Sequence, residues 1–448
     1  MLLKTTFILF LSIVFFPTPN IQAEDWPQWR GTNRDAIWDE DGIVEAIPEA
    51  GLKVKWRAEI SGGYAGPAVV GNRVYVTDYI RESGDARNGP GTINQLQGTE
   101  RVLCLDSSSG EIIWKHEYDC PYLISYPAGP RATPTVDGNR VYTYGAEGHL
   151  FCFERLIGEV LWSKQMRDSY KAKTPIWGFS SHPLVHGQTL YCLVGGKNSV
   201  VVALNKLSGE EEWTALSASE PGYAPPSMIE AAGTQQLIIW DADKLNSLNP
   251  DTGDVYWSHP LKPDYGMSIM APQKSGDYLF ASGIGDVGAV FKLNQERPAA
   301  EVVWRGNNRS AVYCSNSTPF LTEETIFGND CRSGALIAVN LKDGQRLWTD
   351  FAATTGGRPL NHGTAFIVRH QEKYFLFNET GDLITATLTR DRYEETGRDH
   401  LLEPTNNAFN RNVVWTHPAF ANGHCFVRND KEIICVSLKA SDYGKSAD

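Results

Sequence analysis

Only 5 of the 448 residues are methionine, and after residue 23 there is no apolar run long enough to cross a bilayer. The chain has no long lysine or arginine tract, no CxxC or adjacent cysteine pair, no GxSxG, no Walker loop and no dinucleotide fingerprint. Each absence removes a class. A formal charge of −12 without a basic patch argues against a nucleic-acid backbone or an anionic lipid surface as partner. Missing CxxC and CxxCH motifs remove the usual zinc and covalent-haem frameworks, and the other missing motifs remove the common hydrolase, nucleotide and dehydrogenase sites. Hydrophobic residues at 42% and charged residues at 21% exclude disorder and collagen, and leave ample material for a large core.

What is present is an apolar run from Phe7 to Phe16 behind Lys4, then Pro17, Pro19 and Ala23 before the acidic Glu24. Residues 1–23 are therefore expected to be a signal peptide, and the mature chain a secreted or periplasmic protein without a transmembrane segment. In such a compartment the eight cysteines could pair, although eight allow 105 complete pairings. Cys425 and Cys435 flank the Asn429-Asp430 turn and are candidates to face each other across a hairpin.

The strongest signal is a repeat. CLDSSSGEIIW (104–114), CFERLIGEVLW (152–162), ALNKLSGEEEW (203–213), SLNPDTGDVYW (247–257) and AVNLKDGQRLW (338–348) superimpose without gaps, and a degenerate copy ends at Trp304. Trp114, Trp162, Trp213, Trp257, Trp304 and Trp348 lie 44 to 51 residues apart, a period that signals a propeller or solenoid. Each copy reads as strand, polar turn with Gly, and a last strand ending in Trp. Upstream pairs such as PAVVGNRVYVT and PTVDGNRVYT supply two more strands per unit. Residues 361–404 form a Trp-less unit, and LKVKWRAE (52–59) completes the three strands of 417–438. The expectation is an all-β, eight-bladed β-propeller of four-stranded antiparallel blades, closed by pairing of the N- and C-terminal segments. Its domain spans residues 52–440, between an N-terminal extension (24–51) and a C-terminal tail (441–448).

The A-x-D/N-x-x-T/S-G-x-x-x-W pattern resembles the tryptophan-docking repeat of PQQ-like, quinoprotein-type β-propellers, over nearly the whole mature chain. The opening DWPQWRG (25–31) and the closing NVVWTHPAF (412–420) resemble secreted bacterial members. The tryptophans are expected to be structural, bolting each sheet to its neighbour. Cys104, Cys152 and Cys435 fall in the register held by Ala203, Ser247 and Ala338, where a small buried side chain suffices.

Long connections, expected at 78–100, 117–131, 166–180, 306–317 and 351–362, gather on one face, the predicted binding face. Residue-Pro steps near the channel (His182-Pro183, Pro225-Pro226, Thr318-Pro319, His417-Pro418 among them), with Tyr64, Arg131, Tyr223, Asn316 and His362 close by, outline a polar, aromatic pocket suited to a sugar or quinone. The candidate ligand-binding set is thus Tyr64, Arg131, His182, Tyr223, Asn316, His362 and His417. His182 and His186, on one strand face, would lie about 13 Å apart, too far to share a metal, and no metal ligands are assigned.

Three functions follow. The first is a non-catalytic binding or scaffold protein for an envelope protein or glycan, although assembly scaffolds of this type carry a lipid-attachment cysteine that this chain lacks. The second, implied by the resemblance, is a PQQ-dependent dehydrogenase with calcium. Its relatives hold the quinone between an aromatic, for which Trp177 is a candidate, and a disulfide of adjacent cysteines. The third is a polysaccharide-acting enzyme using His182, His417, Arg131 and Tyr223.

Overall fold

Each Trp-bearing segment of the repeat, with that of 52–59, is the outer strand of a four-stranded antiparallel blade, and these seven blades with the Trp-less one at 365–400 make eight along the chain. The computed structural model describes residues 24–444, so the expected leader lies outside the described residues. Blade 1 runs from Ala68–Val70 to Ile112–Asp119, blade 2 from Thr135–Asp137 to Val160–Gln165, blade 3 from Leu184–His186 to Glu211–Ala215, and blade 4 from Ser227–Ala231 to Val255–Pro260. Blade 5 runs from Gln273–Ser275 to Ala300–Arg305, blade 6 from Phe320–Leu321 to Arg346–Asp350, and blade 7 from Ala365–His370 to Tyr393–His400. Blade 8 takes Ala419–Ala421, His424–Arg428 and Glu432–Ser437 from the C-terminal end and Val54–Glu59 from the N-terminal end. That exchange closes the ring, as the two incomplete end segments predict.

The repeat register has a direct structural meaning. Cys104, Cys152, Ala203, Ser247, Ala338 and Cys435 each pair with the tryptophan of the adjacent outer strand, and beside each pair the ladder slips by one residue. The bulge aims the indole at the next blade. There Nε1 of Trp56, Trp114, Trp162, Trp213, Trp304 and Trp348 donates to the carbonyl oxygen of Ser107, Arg155, Lys206, Pro250, Leu341 and Thr389, at 2.8–3.1 Å. The turn glycine lies under the ring: a Cβ at Gly110, Gly158, Gly209 or Gly253 would stand 2.5–2.7 Å from the indole of the preceding blade. Trp257 is the exception. Its Nε1 donates instead to Gln236 Oε1 within its own blade, at 3.0 Å; the turn it faces, 294–299, has no glycine, and neither has the turn 389–392 that holds Trp348. Burying an indole is worth at most about 4–6 kcal/mol, so six such docks are a large part of what holds the blades together.

Several expectations need correction. Residues 78–100 are not a loop: Arg73–Gly84 and Asn94–Asp106 extend blade 1 as a two-stranded ribbon with its turn at 85–93, and Tyr122–Ile124 adds a fifth strand. Cys425 pairs with Val436 and Cys435 with Phe426, so a one-residue offset sets the two thiols on opposite faces of the sheet. All eight cysteines are buried free thiols. His182 precedes the strand Leu184–His186 rather than sharing it with His186, whose ring meets Gln235. Among the described residues no helix is long and apolar enough to cross a membrane.

Residues 24–40 are the least anticipated element. They cross the channel at the end opposite the long connections and touch the inner strands in turn. Trp26 exchanges backbone hydrogen bonds with Val69 of blade 1, Pro27 accepts from Val136 of blade 2, and Trp38 donates to Arg369 of blade 7. Arg34 donates to the carbonyls of His182 and Pro183 at the entry to blade 3. Arg30 donates to Thr318 O before blade 6 and to Gln273 Oε1 of blade 5, and Asn422 of blade 8 donates to Glu24 O. The arm turns a channel into a cup.

Candidate functional site

The cup is a cavity of about 770 Å³, and all eight blade-to-blade connections contribute to its wall. Its volume lies within the ~300–1,000 Å³ usual for ligand pockets. All seven residues outlined by the sequence, Tyr64, Arg131, His182, Tyr223, Asn316, His362 and His417, line it. Of the residues preceding prolines, Pro225 and Thr318 join them, whereas Gly66 and Thr133 do not.

The wall changes character around the ring. The connections 2–3, 3–4 and 4–5 present an apolar arc that includes Ile176, Trp177, Tyr223, Met267 and Ile269. Trp177 and Tyr223 meet edge to face, 5.6 Å between centroids. Connections 5–6 and 6–7 present neutral polar groups, Ser315, Asn316, Ser317, Thr318 and His362. Connections 7–8, 8–1 and 1–2 present aromatic rings, with Tyr126 stacked on Trp415 at 6.2 Å. Pro90 and Gly91, at the turn of the blade 1 ribbon, reach over this arc. The turn is pinned there by Asn88 Nδ2, which donates to Asn406 Oδ1 and Asn407 O, both at 2.7 Å.

Charge is nearly absent. Arg131 is the one lysine or arginine among the described residues of the wall, and its guanidinium is committed. Nη1 donates to Gly129 O, Nη2 to the carbonyls of Ser125 and Tyr126, and the group lies 5.1 Å over the Tyr64 ring. Glu220 is the one carboxylate there, with its pKa raised by burial. The histidines are neutral at pH 7. His182 Nδ1 accepts from Thr133 N at 2.8 Å, which leaves the proton on Nε2, and burial first, then the charges of neighbouring groups, holds its pKa well below the ordinary value. His417 is lowered to about 3 and His362 to about 4, both chiefly by burial.

Four wall residues, Tyr126, Tyr265, His362 and Phe409, have φ of +50 to +59°, a left-handed backbone that bulky side chains adopt at a cost and that concentrates at functional sites. Two wall groups, Tyr223 OH and Trp29 Nε1, are buried without a hydrogen-bond partner among the described residues. Sequence reasoning missed Trp29, Tyr126, Phe409 and Trp415. The aromatic density of DWPQWRG was a usable signal for the first; the others sit in connections that follow no repeat.

The wall fits PQQ with calcium poorly. The quinone carries three carboxylates and would find one cation, already committed; the calcium would find one carboxylate; and no cysteine lines the cavity. No group of three or more His, Cys, Asp or Glu suited to a metal exists among the described residues.

Comparison with known proteins yields consistent kin. A family model described as outer membrane protein assembly factor BamB matches residues 40–175 and 98–350. The outer membrane protein assembly factor BamB of Shewanella oneidensis is 22% identical over 278 residues, 58% of this chain and 68% of that protein. The quinoprotein alcohol dehydrogenase PedH of Pseudomonas putida is 22% identical over 63% of this chain, but the match spans less than half of PedH, 47%. Among solved structures, BamB from Moraxella catarrhalis superimposes with a TM-score of 0.56 at 12% identity, over 86% of this chain and 99% of that one. The quinohemoprotein alcohol dehydrogenase of Comamonas testosteroni gives 0.60 at 11%, over 93% and 81%. At these identities the structural likeness concerns the fold.

Proposed function

This chain belongs to the PQQ-like β-propeller family, and from that premise we propose that it is a non-catalytic binding protein of the bacterial envelope, holding an envelope protein segment or a glycan at the long-connection face. The observation that carries the reading is the cavity itself: eight connections converge on a cup rich in aromatic rings whose polar groups, the Glu220 carboxylate apart, are neutral or already engaged. A reaction centre needs a base poised near the working pH and a free charge-stabilising group. His182 and His417, with strongly lowered pKa values, are weak bases, and the Arg131 guanidinium is spent on backbone carbonyls. Glu220 is the one wall carboxylate, with no free cation beside it among the described residues to stabilise a developing anion, so the set disfavours proton abstraction from a sugar, as the donor set disfavours quinone chemistry.

Export is supported by the apolar leader and by the kinship with an outer membrane protein assembly factor. The experiment is a paired one. Purified protein is supplied with PQQ, Ca²⁺, alcohols and a reducible dye, and separately with polysaccharides while unsaturated or shortened products are monitored. No turnover is expected in either arm, while the same preparation retains a component on envelope-protein and glycan panels and loses it on Trp177→Ala. Turnover in either arm overturns the reading.

A further inference from the structure

We propose that the cavity binds a neutral oligosaccharide, taking its end into the cup with a sugar ring laid on the aromatic arc of Trp177, Tyr223, Tyr126 and Trp415 and its hydroxyls turned to the Asn316/His362 arc; this rests on the binding role proposed above. A pyranose ring has two apolar C–H faces and an equatorial belt of hydroxyls. Its complement is an aromatic surface flanked by neutral hydrogen-bonding groups, and the wall is so divided: Trp177 packs in one cluster with Tyr126, Tyr64 and Trp415, and the polar groups stand on the remaining arc. Trp177 and Tyr223 stand on the connections 2–3 and 3–4, Tyr126 and Trp415 on 1–2 and 7–8, and Asn316 with His362 on 5–6 and 6–7. Such amphipathic rings offer large contact area with little entropy lost on ordering.

The polar arc is built to serve a hydroxyl. Asn316 Nδ2 donates to Thr364 Oγ1 at 3.2 Å while its Oδ1 has no hydrogen-bond partner among the described residues, and His362 is fixed through Nδ1 to Ser315 Oγ at 2.8 Å and by stacking on Phe409 at 4.7 Å. The unpartnered Tyr223 hydroxyl adds a further group able to donate or accept. Charge selects against acidic ligands. With Arg131 engaged, no free cation faces the cavity among the described residues, Glu220 stands in the wall, and the chain carries a net charge of −12. A carboxylate or sulfate would be desolvated without a partner. A purely apolar ligand would leave the five neutral polar residues of the opposite arc without exchange for their water.

The test uses the full mature chain. Intrinsic tryptophan fluorescence and calorimetry follow titration with short oligomers of glucose, mannose, galactose and N-acetylglucosamine, and with galacturonate oligomers and a sulfated galactan fragment of the same length. We expect saturable binding of at least one neutral oligomer and at least tenfold weaker binding of the acidic ones. Trp177→Ala and Asn316→Ala should each weaken the neutral ligand at least tenfold. Trp177→Phe, which keeps a flat ring and guards against a folding defect in the alanine variant, should restore most of the affinity. Acidic oligomers binding as tightly as neutral ones, or neutral binding indifferent to both substitutions, would overturn the assignment. So would silence toward every neutral oligomer up to millimolar concentration. Retention of an envelope protein segment in the cavity, with no oligosaccharide bound, sinks the glycan assignment and leaves the binding role standing; turnover of an alcohol or polysaccharide sinks both.

Discussion

Trp29 lies flat on His182, ring centroids 4.8 Å apart and planes 13° from parallel, and meets His417 edge-on at 5.8 Å. A residue from the N-terminal arm thereby forms the floor of a cavity whose walls come from the whole ring. The arm is part of the site, and the relationship sets a first expectation.

Trp29→Ala removes a side chain that is 3% exposed and opens the floor toward the other mouth. Loss of a buried tryptophan costs ~3–5 kcal/mol. We expect a lower urea midpoint and loss of any cavity ligand, both largely restored in Trp29→Phe. A stability unchanged in Trp29→Ala, measured by urea denaturation at pH 7, would mean that the arm rests on the ring without supporting it.

The docking turns allow a controlled comparison. Gly158 has φ +74°, and a Cβ there would stand 2.5 Å from the Trp114 ring; Gly71 has φ +56° and faces open space. Alanine at Gly71 meets only the backbone penalty, about 1 kcal/mol. At Gly158 it must also displace an indole whose Nε1 is held by Arg155 O at 3.0 Å. Gly158→Ala should therefore destabilise by ~2 kcal/mol or more beyond Gly71→Ala, read as the difference in thermal midpoints. Equal effects would show that the ring is not clamped.

These examples also explain what the sequence made legible. The tryptophan period exposed the ring because most of the indoles share three things at fixed spacing: a small residue opposite, a bulge beside and a glycine turn on the next blade. Trp257, which faces the glycine-free turn 294–299, and the Trp-less outer strand of blade 7 mark sheets that survive without the dock, whereas Trp348 keeps it on the glycine-free turn 389–392. The site residues next to prolines were legible because proline marks the start of an inner strand. The ribbon of blade 1 was not: DYIRESGDARNGPGTINQLQ has no clean alternation, since one of its strands carries mostly solvent-facing side chains. Nor was the floor, because Trp29 follows no repeat and acquires its role only when a segment distant in sequence from His182 and His417 is laid across the channel.

A buried charge reinforces the closure that the strand exchange makes. Arg428 of blade 8 has its Nη1 on Thr77 O of blade 1 at 2.6 Å, its Nη2 on Ser61 O and its Nε on Asn429 O, and it is wholly buried. Arg428→Met leaves three carbonyls without their donor and removes a positive charge beside Asp78 and Asp430. Breaking such a buried set costs ~3–5 kcal/mol. Arg428→Lys should recover little of it, because one ammonium cannot span the separate carbonyls that the guanidinium fork reaches. The expected outcome is a lowered urea midpoint with unchanged slope in both variants; a stable Arg428→Met would place the closure in the strand pairing alone.

The two histidines of the floor make stability depend on pH in a defined direction. Burial lowers the His417 pKa to about 3, with the Arg30 charge adding to it, and holds His182 well below its ordinary value. In the unfolded chain both titrate near ~6.5. Between that value and about 3 the unfolded state therefore binds protons that the folded state refuses, so the stabilisation is complete above pH ~6.5 and drains away as pH falls through the window. Glu100 opposes this. Its carboxyl pKa is raised by burial, so through its own window folding gains stability as pH falls. His417→Gln separates the two, since it removes one titrating imidazole and leaves Glu100 in place. The variant should lose less stability than the parent between about pH 7 and 5. In the parent, imidazole proton resonances of His182 and His417 should stay fixed over that range. Those of His400, whose pKa is raised by its hydrogen bond to Asp382, should move as the ring loses its proton above pH ~6.5. A His417 resonance titrating near its ordinary value would show a floor open to water, and the neutral character assigned to the cavity would fail with it.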